Sequence, residues 1–204
     1  FKFVQAYSQR YGVPFETLVP LLDLLAVSIA SDIVPIMGEN RVLASFGLKV
    51  INTCPRPGIE AILHYGHVEP RSENDRQQDT DEKKNYFSKD LTLNDLVYLV
   101  GPRINAAGRI RSAFDSVRLL LSEDLNQAKE LAHEIDDYNK QRKDLDSVAT
   151  MEAKQRIAQD PSMQNRKSIV LCGLDWHKGV VGIVASRLME EYYKPTIIFT
   201  KSVT

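Results

Sequence analysis

The sequence is poor in cysteine, in long hydrophobic runs and in excess charge of either sign, and each shortage excludes a class of protein. Its 204 residues include two cysteines, Cys54 and Cys172. Two in unrelated contexts are too few for a disulfide framework, so a reducing, cytoplasmic setting is the default. Cys172 lies in a strand-like run and is expected to be a small buried apolar residue. No apolar run approaches the roughly 20 residues needed to cross a bilayer, and no secretory-leader pattern opens the chain, so no membrane partner is expected. The net charge is −1. No global field therefore draws in nucleic acid, and any such binding must come from a local basic patch.

What is present is an ordinary globular composition, with 43% hydrophobic and 26% charged residues, enough for one or two domains. The chain opens on Phe1 and closes just after a strand-like run, Pro195 to Thr200. A parallel sheet of two strands is not a stable unit, so a fragment cut at both ends is the expectation. A first helix carries Phe3, Val4 and Tyr7 on one face and stops at Tyr11-Gly12. Pro14 and Glu16 start the next. The run from Pro20 to Ile36 predicts a buried helix ending near Asp32, before Pro35. Asp23 and Asp32 are its only charges, and a carboxylate there is costly unless paired, capped or metal-bound. A further helix is predicted over Asn40–Leu48, and another from Pro57, which presets its first turn, to Leu63. His64 and His67 stand three apart at its end with no companion ligands, and read as surface histidines rather than a zinc site. Ser72 to Asn85 contains no hydrophobic residue, which marks 68–90 as a polar insertion loop on the surface.

Helical spacing returns over Leu91–Val100. The next segment, Gly101 to Ile110, reads as a short glycine-bounded loop holding Arg103, Asn105 and Arg109. Guanidinium forks and an amide suit phosphate oxygens; arginines paired with carboxylates are the alternative. A short helix follows over Ala113–Leu121. Asp124 then reads as the N-cap of a helix of roughly 35 residues, with Gln127 as capping-box partner. Its apolar stripe is thin and its heptads irregular, which favours a connector over a coiled coil. Asp160-Pro161-Ser162 ends it.

The stretch LCGLDWHKGVVGIVASRL, Leu171 to Leu188, organises the rest. A buried strand over Ser168–Cys172 meets a helix with Val180, Val181, Val184 and Leu188 on one face, through a turn rich in glycine. Unpaired N–H groups and the positive end of the helix dipole converge there, and Gly179 and Gly182 allow close approach. That suits an anion, with His177, Lys178, Ser186 and Arg187 as side-chain donors. A tight turn with an exposed His and Lys is the plainer reading.

Three segments resemble one family. Trp176 to Leu188 is similar to the WHxGVVGIVASRL signature of the DHHA1 domain in RecJ-type single-strand-specific exonucleases, of the DHH/DHHA1 phosphoesterase superfamily. Gly101 to Arg109 looks like that family's GPRLNAAGR motif, and Leu22 to Pro35 its LDLxALxTxADxVPL stretch. The resemblance implies an α/β protein: the C-terminal part of a DHH domain over 1–111, connecting helices over 112–161, and the first part of a DHHA1 α/β domain over 162–204. It implies Asp32 as a ligand of Mn²⁺ or Mg²⁺, with Asp32, Arg109 and His177 catalytic. It implies that Arg103, Asn105, Arg109, His177, Gly179, Gly182, Ser186 and Arg187 bind the phosphates of single-stranded DNA, in DNA repair and recombination.

The sequence departs from the family mildly at Ser28-Ile29-Ala30-Ser31, where small residues and Thr are usual, and more seriously in lacking the family's other aspartate-containing motifs and its Asp-His-His triplet. One carboxylate cannot hold a divalent cation tightly, so the polypeptide alone is expected to be inactive. Two other readings stand beside the nuclease. One is a phosphodiesterase of short oligonucleotides or cyclic dinucleotides, whose loop is usually a GGGH-type sequence; the other is a non-catalytic module built on the long helix.

Overall fold

The computed structural model describes residues 1–72 and 85–201. They form two compact units: Phe1–Asn105 with Ala113–Asp136, and Ala106–Ser112 with Asp137–Thr204. The division falls inside the long helix, between Asp136 and Asp137, and on either side of Ala106–Ser112. The reason is packing: the first turns of that helix bury Ala128, Leu131, Ala132 and Ile135 with the first unit, and later ones bury Ala149, Ala153 and Ile157 with the second.

The first unit is helical. Helix α1 (Lys2–Tyr11) ends on Gly12, whose φ of 67° is the left-handed conformation open to glycine. A 3₁₀ segment, Phe15–Leu21, leads into α2 (Leu22–Ser31), with Asp32 as its C-cap. Helices α3 (Gly38–Thr53) and α4 (Pro57–His64) follow. α2 and α3 cross closely enough that a Cβ on Gly47 would lie 2.2 Å from the carbonyl of Leu22 and 2.7 Å from Cβ of Ala26. His64 and His67 are exposed, and His64 Nδ1 lies 2.8 Å from Glu69 Oε1, as expected of surface residues.

Residues 73–84, the centre of the expected insertion at 68–90, lie outside the described residues. Its flanks are anchored rather than solvated. Val68 and Phe87 are buried, Pro70 bridges to Phe87, and the Tyr86 hydroxyl donates to Glu60 at 2.7 Å.

The segment read as a glycine-bounded loop is instead helical, a correction with a clear cause. Thr92 caps a helical turn, Leu93–Asp95, through a reciprocal capping box with Asp95. A wider π-helical turn, Leu96–Val100, comes next, closed by Gly101 N–H donating to Leu96 O. Helix α5 (Gly101–Ile110) continues from it. The wide turn lets Pro102 enter at the start of a regular helix, where its missing N–H costs least. α6 (Ala113–Leu120) completes the motif's surroundings.

Helix α7 (Leu125–Gln159) is capped by Asp124, whose Oδ1 accepts from Gln127 N–H at 2.8 Å. Gln127's own side chain accepts from Ser122 rather than returning to the cap. After the short α8 (Ser162–Asn165), β1 (Ile169–Cys172), α9 (Val181–Tyr192) and β2 (Thr196–Phe199) form a βαβ unit, with Ile169 beside Thr196 and Cys172 beside Phe199 in parallel register. Ile169, Leu171, Trp176, Val184 and Leu188 pack on Ala149, Ala153 and Ile157. The α/β class is therefore confined to the second unit. β1 alternates buried and exposed residues, so it is covered on one face only; Cys172 is exposed, against expectation, because its register position points away from α7 and α9.

Gly47→Ala is expected to destabilise the chain by about 1–3 kcal/mol, because backbone on α2 must move to admit the methyl. Urea unfolding followed by circular dichroism measures it; an unchanged or higher midpoint, as helix propensity alone dictates, contradicts the packing described.

Candidate functional site

Asp23 and Asp32, the two carboxylates of the apolar run, have opposite environments. Asp23 is 2% exposed. Its carboxylate takes a two-pronged bond from Arg56, Nε at 2.5 Å and Nη2 at 2.8 Å, and Arg56 also donates to Leu120 O. Such geometry satisfies a charge that would otherwise be prohibitively desolvated. Asp32 is exposed, and its carboxylate has no hydrogen-bond or ion-pair partner among the described residues. The turn after it is closed by backbone: Asp32 N–H donates to Ser28 O and Ile33 N–H to Ala30 O. Ile33 follows with φ of 50°, left-handed for a β-branched residue, a strain of about 1–3 kcal/mol. A cleft of about 350 Å³ beside Asp32 is lined mostly by apolar side chains, Leu24, Val27, Ile104 and Leu121 among them. Asn105 reaches its edge and donates to Ser31 O at 2.9 Å.

Arg103 belongs to the first unit and is spent on protein acceptors. Its Nε donates to Asp136 Oδ1 at 2.8 Å, Nη1 to Leu99 O and Nη2 to Tyr65 O. Pairing with a carboxylate, the alternative to phosphate binding, is what the structure contains at Arg103.

In the second unit, the strand-to-helix turn is set by Trp176. Its ring lies on Gly173, where any Cβ would be 2.0 Å from the indole, and its Nε1 donates to Glu152 at 2.8 Å. Arg156 stacks over the ring with its Cζ 4.9 Å from the centroid. Gly179 N–H then donates to His177 Nδ1 at 3.1 Å, which fixes the imidazole. Gly179 also lies against the backbone of Arg109, with no room for a side chain: a Cβ would be 2.1 Å from the Arg109 carbonyl. Arg109 Nη1 donates to Gly179 O at 3.3 Å. α9 begins there, with Val180 as its N-cap, so the Val181 and Gly182 N–H groups open its N-terminus. Ser186 donates back to Gly182 O along the helix. The fold thus brings Arg109, His177, Gly179 and the start of α9 together. Asp32, Arg103 and Asn105 lie in the other unit.

Two residues of this cluster escaped sequence reasoning, Arg142 and Asp146 on α7. Asp146 is 1% exposed. It accepts from Arg187 Nη2 at 2.8 Å, has Arg142 Nη1 at 3.9 Å, and takes the Thr150 hydroxyl at 3.4 Å. Burial pulls the Arg142 guanidinium below its ordinary pKa, and the charges of Arg109 and Arg187 add to this while Asp146 opposes it. Two guanidinium groups, Arg187 and Arg142, therefore face the carboxylate of Asp146, with the charge of Arg109 felt at Arg142, so positive charge outnumbers negative here in a chain of net charge −1. The available signal was the buried polar series Asp136, Asn139, Asp146 and Thr150, which interrupts the helix's apolar stripe.

The donors present do not by themselves fit a divalent metal. Among the described residues no three His, Cys, Asp or Glu side chains converge, and Asp32 supplies one carboxylate where Mn²⁺ or Mg²⁺ takes about six ligands. No described helix is long and apolar enough to cross a membrane.

No family model matches the chain. Curated relatives do, and all of the following are single-stranded-DNA-specific exonucleases named RecJ. That of Dickeya dadantii is 35% identical over 92% of this chain and 30% of its own length. That of Escherichia coli is 32% identical over 96% and 31%, and that of Bacillus subtilis 36% over 87% and 20%. The chain thus spans about 30% or less of these relatives. Among solved structures, Thermus thermophilus RecJ in complex with Mg²⁺ aligns with a TM-score of 0.73 at 26% identity, over 95% of this chain and 27% of that one. An exonuclease RecJ bound to manganese aligns at 0.72 and 27%, over 95% and 43%.

Arg103→Met is expected to cost about 3 kcal/mol or more of stability, because it removes the charged partner of the buried carboxylate of Asp136. Thermal unfolding of the single variant and of Arg103→Met with Asp136→Leu checks this. The double variant should recover much of the loss; equal losses would show that the pair is not the cause.

Proposed function

Starting from a chain that belongs to the RecJ family over the stretch it spans, we propose that it is part of a metal-dependent 5′-to-3′ exonuclease of single-stranded DNA, a cytoplasmic enzyme of DNA repair and recombination. The observation that carries this reading is the grouping in one unit of Arg109, His177, Gly179, Arg187 and the N-terminus of α9. That group has the chemistry of a phosphodiester grip. Guanidinium forks and backbone N–H groups bind phosphate oxygens without reading bases, as a sequence-tolerant nuclease requires. Gly182 keeps the first turn of the helix clear of side chain, and Ser186 must turn its hydroxyl away from Gly182 O before it can donate to a phosphate. His177, held through Nδ1, has Nε2 left to meet a substrate oxygen.

Asp32 enters the proposal as one ligand of a Mn²⁺ or Mg²⁺ centre; its carboxylate's lack of a partner among the described residues supports that role. The described residues do not complete such a centre, and no step is assigned to it. Asn105 keeps the Asp32 cleft in shape through Ser31, and Arg103 braces the helix that carries both motif arginines. A phosphodiesterase of dinucleotides is the second reading, but the turn is the WHKGVVG kind rather than the GGGH kind.

The test is hydrolysis by the full-length protein, with Mn²⁺ or Mg²⁺, of a 5′-phosphorylated single strand, a blunt duplex and a linear dinucleotide. Release of nucleotides from the 5′ end of the single strand alone is expected, with Arg109→Ala lowering kcat/KM by about 10²-fold or more. The 204-residue chain by itself is expected to show no sustained turnover. Preference for the dinucleotide, or turnover by the chain alone, contradicts the proposal.

A further inference from the structure

The phosphate reading leaves Asp146 without a task, although it is among the most deeply buried charges of the chain. It sits on α7, outside every motif, holds Arg187 from α9, and lies 3.9 Å from Arg142 of its own helix, whose Nη2 donates to Asn139 Oδ1 at 3.0 Å. We infer that Asp146 is a positioning residue for substrate phosphate: it fixes Arg187 and Arg142 so that, with Arg109, they meet a phosphate group already arranged. This rests on the phosphate reading of the same cluster and goes beyond it by assigning a role to the connecting helix.

Three observations carry the inference. First, Arg187 is half exposed while the carboxylate that holds it is only 2% exposed, so one end of the pair is rigid and the other faces outward. A long side chain on a helix surface loses much rotamer entropy when it binds an anion, and a fixed partner removes that cost in advance. Second, the Arg142 Nε–H is buried and has no acceptor among the described residues. A buried donor without a partner costs about 1–3 kcal/mol, a cost that the contacts of the same guanidinium with Asn139 and Asp146 must outweigh. Third, Thr150, one turn further along α7, donates its hydroxyl to Asp146 Oδ1 and thereby orients the carboxylate. A carboxylate at the centre of an anion site weakens the field, so its presence there needs a reason. Fixing the forks is a sufficient one, because bidentate geometry matters more to phosphate than a single unit of charge at longer range.

The charge argument and the positioning argument predict opposite signs, which makes the test decisive. Inorganic phosphate is titrated into the chain and followed by the fluorescence of Trp176, the only tryptophan and the neighbour of His177. Asp146→Asn removes a negative charge from the cluster. If Asp146 were merely a counter-charge, phosphate would bind more tightly. Positioning predicts weaker binding, by about tenfold, the worth of one charge-assisted hydrogen bond. Asp146→Glu, which keeps the charge and shifts the carboxylate by one methylene, is expected to weaken binding in the same direction. Thr150→Val, which leaves all charges in place, serves if the Asp146 variants do not fold, and should weaken binding by a smaller factor. Equal or tighter phosphate binding by these variants overturns the inference while the phosphate reading stands. Failure of the unaltered chain to bind phosphate at all overturns both.

Discussion

Buried arginine–aspartate pairs are the interaction on which the rest of this structure depends. Asp23 holds Arg56, Asp136 holds Arg103, and Asp146 holds Arg187, with Arg142 nearby. Each aspartate is nearly or wholly buried on a helix, and each arginine comes from another element or reaches across a turn. An ionised carboxylate in an apolar interior costs several kcal/mol, and only a partner of matched geometry offsets it. The pairs therefore fix which helix lies against which more strictly than apolar packing does, since apolar surfaces slide and directed, charge-assisted hydrogen bonds do not. Two of the three aspartates lie on α7, one in each unit. The long helix is thus an organising element in both halves of the chain, and more than a connector.

This division of labour explains why some of the molecule was legible in its sequence and some was not. Gly12, the Pro57 start, the Asp124 cap and the turn from β1 into α9 were readable because each is set by local backbone chemistry. The motif around Arg103 was misread as a loop because Gly101-Pro102 is ordinarily a breaker, and a π-helical turn one step upstream removes the conflict. Cys172 was misjudged because an apolar run of strand length does not say whether one face or both are covered. The apolar stripe of α7 was read as thin, yet Asp136, Asn139, Asp146 and Thr150 follow a helical spacing that puts them on its inner side. Charged residues in phase with an apolar stripe are a readable signal, and it points to buried partners elsewhere.

The same physics separates the candidate site residues into two kinds. Arg103 and Arg56 are committed to protein and act on the fold. Arg109, Arg187, His177 and Asp32 keep polar atoms facing outward, and these are the groups able to meet a ligand. Gly179 joins the two kinds: with no side chain, it lets the end of α5 press against the turn before α9, so that Arg109 and His177 share one backbone junction. In the RecJ relatives this chain corresponds to a stretch of less than a third of the whole, and it carries the electropositive groups rather than a complete metal centre.

The central claim is that these arginines are held rigidly by buried carboxylates. Nitrogen-15 NMR of the arginine side chains at neutral pH tests it most directly, since it reads rotation and solvent exchange of each guanidinium group. The account predicts slow-exchanging Nε–H signals for Arg56 and Arg103 and restricted rotation about the Cζ bond of Arg187. Fast averaging of all three, as in a free arginine side chain, would contradict it.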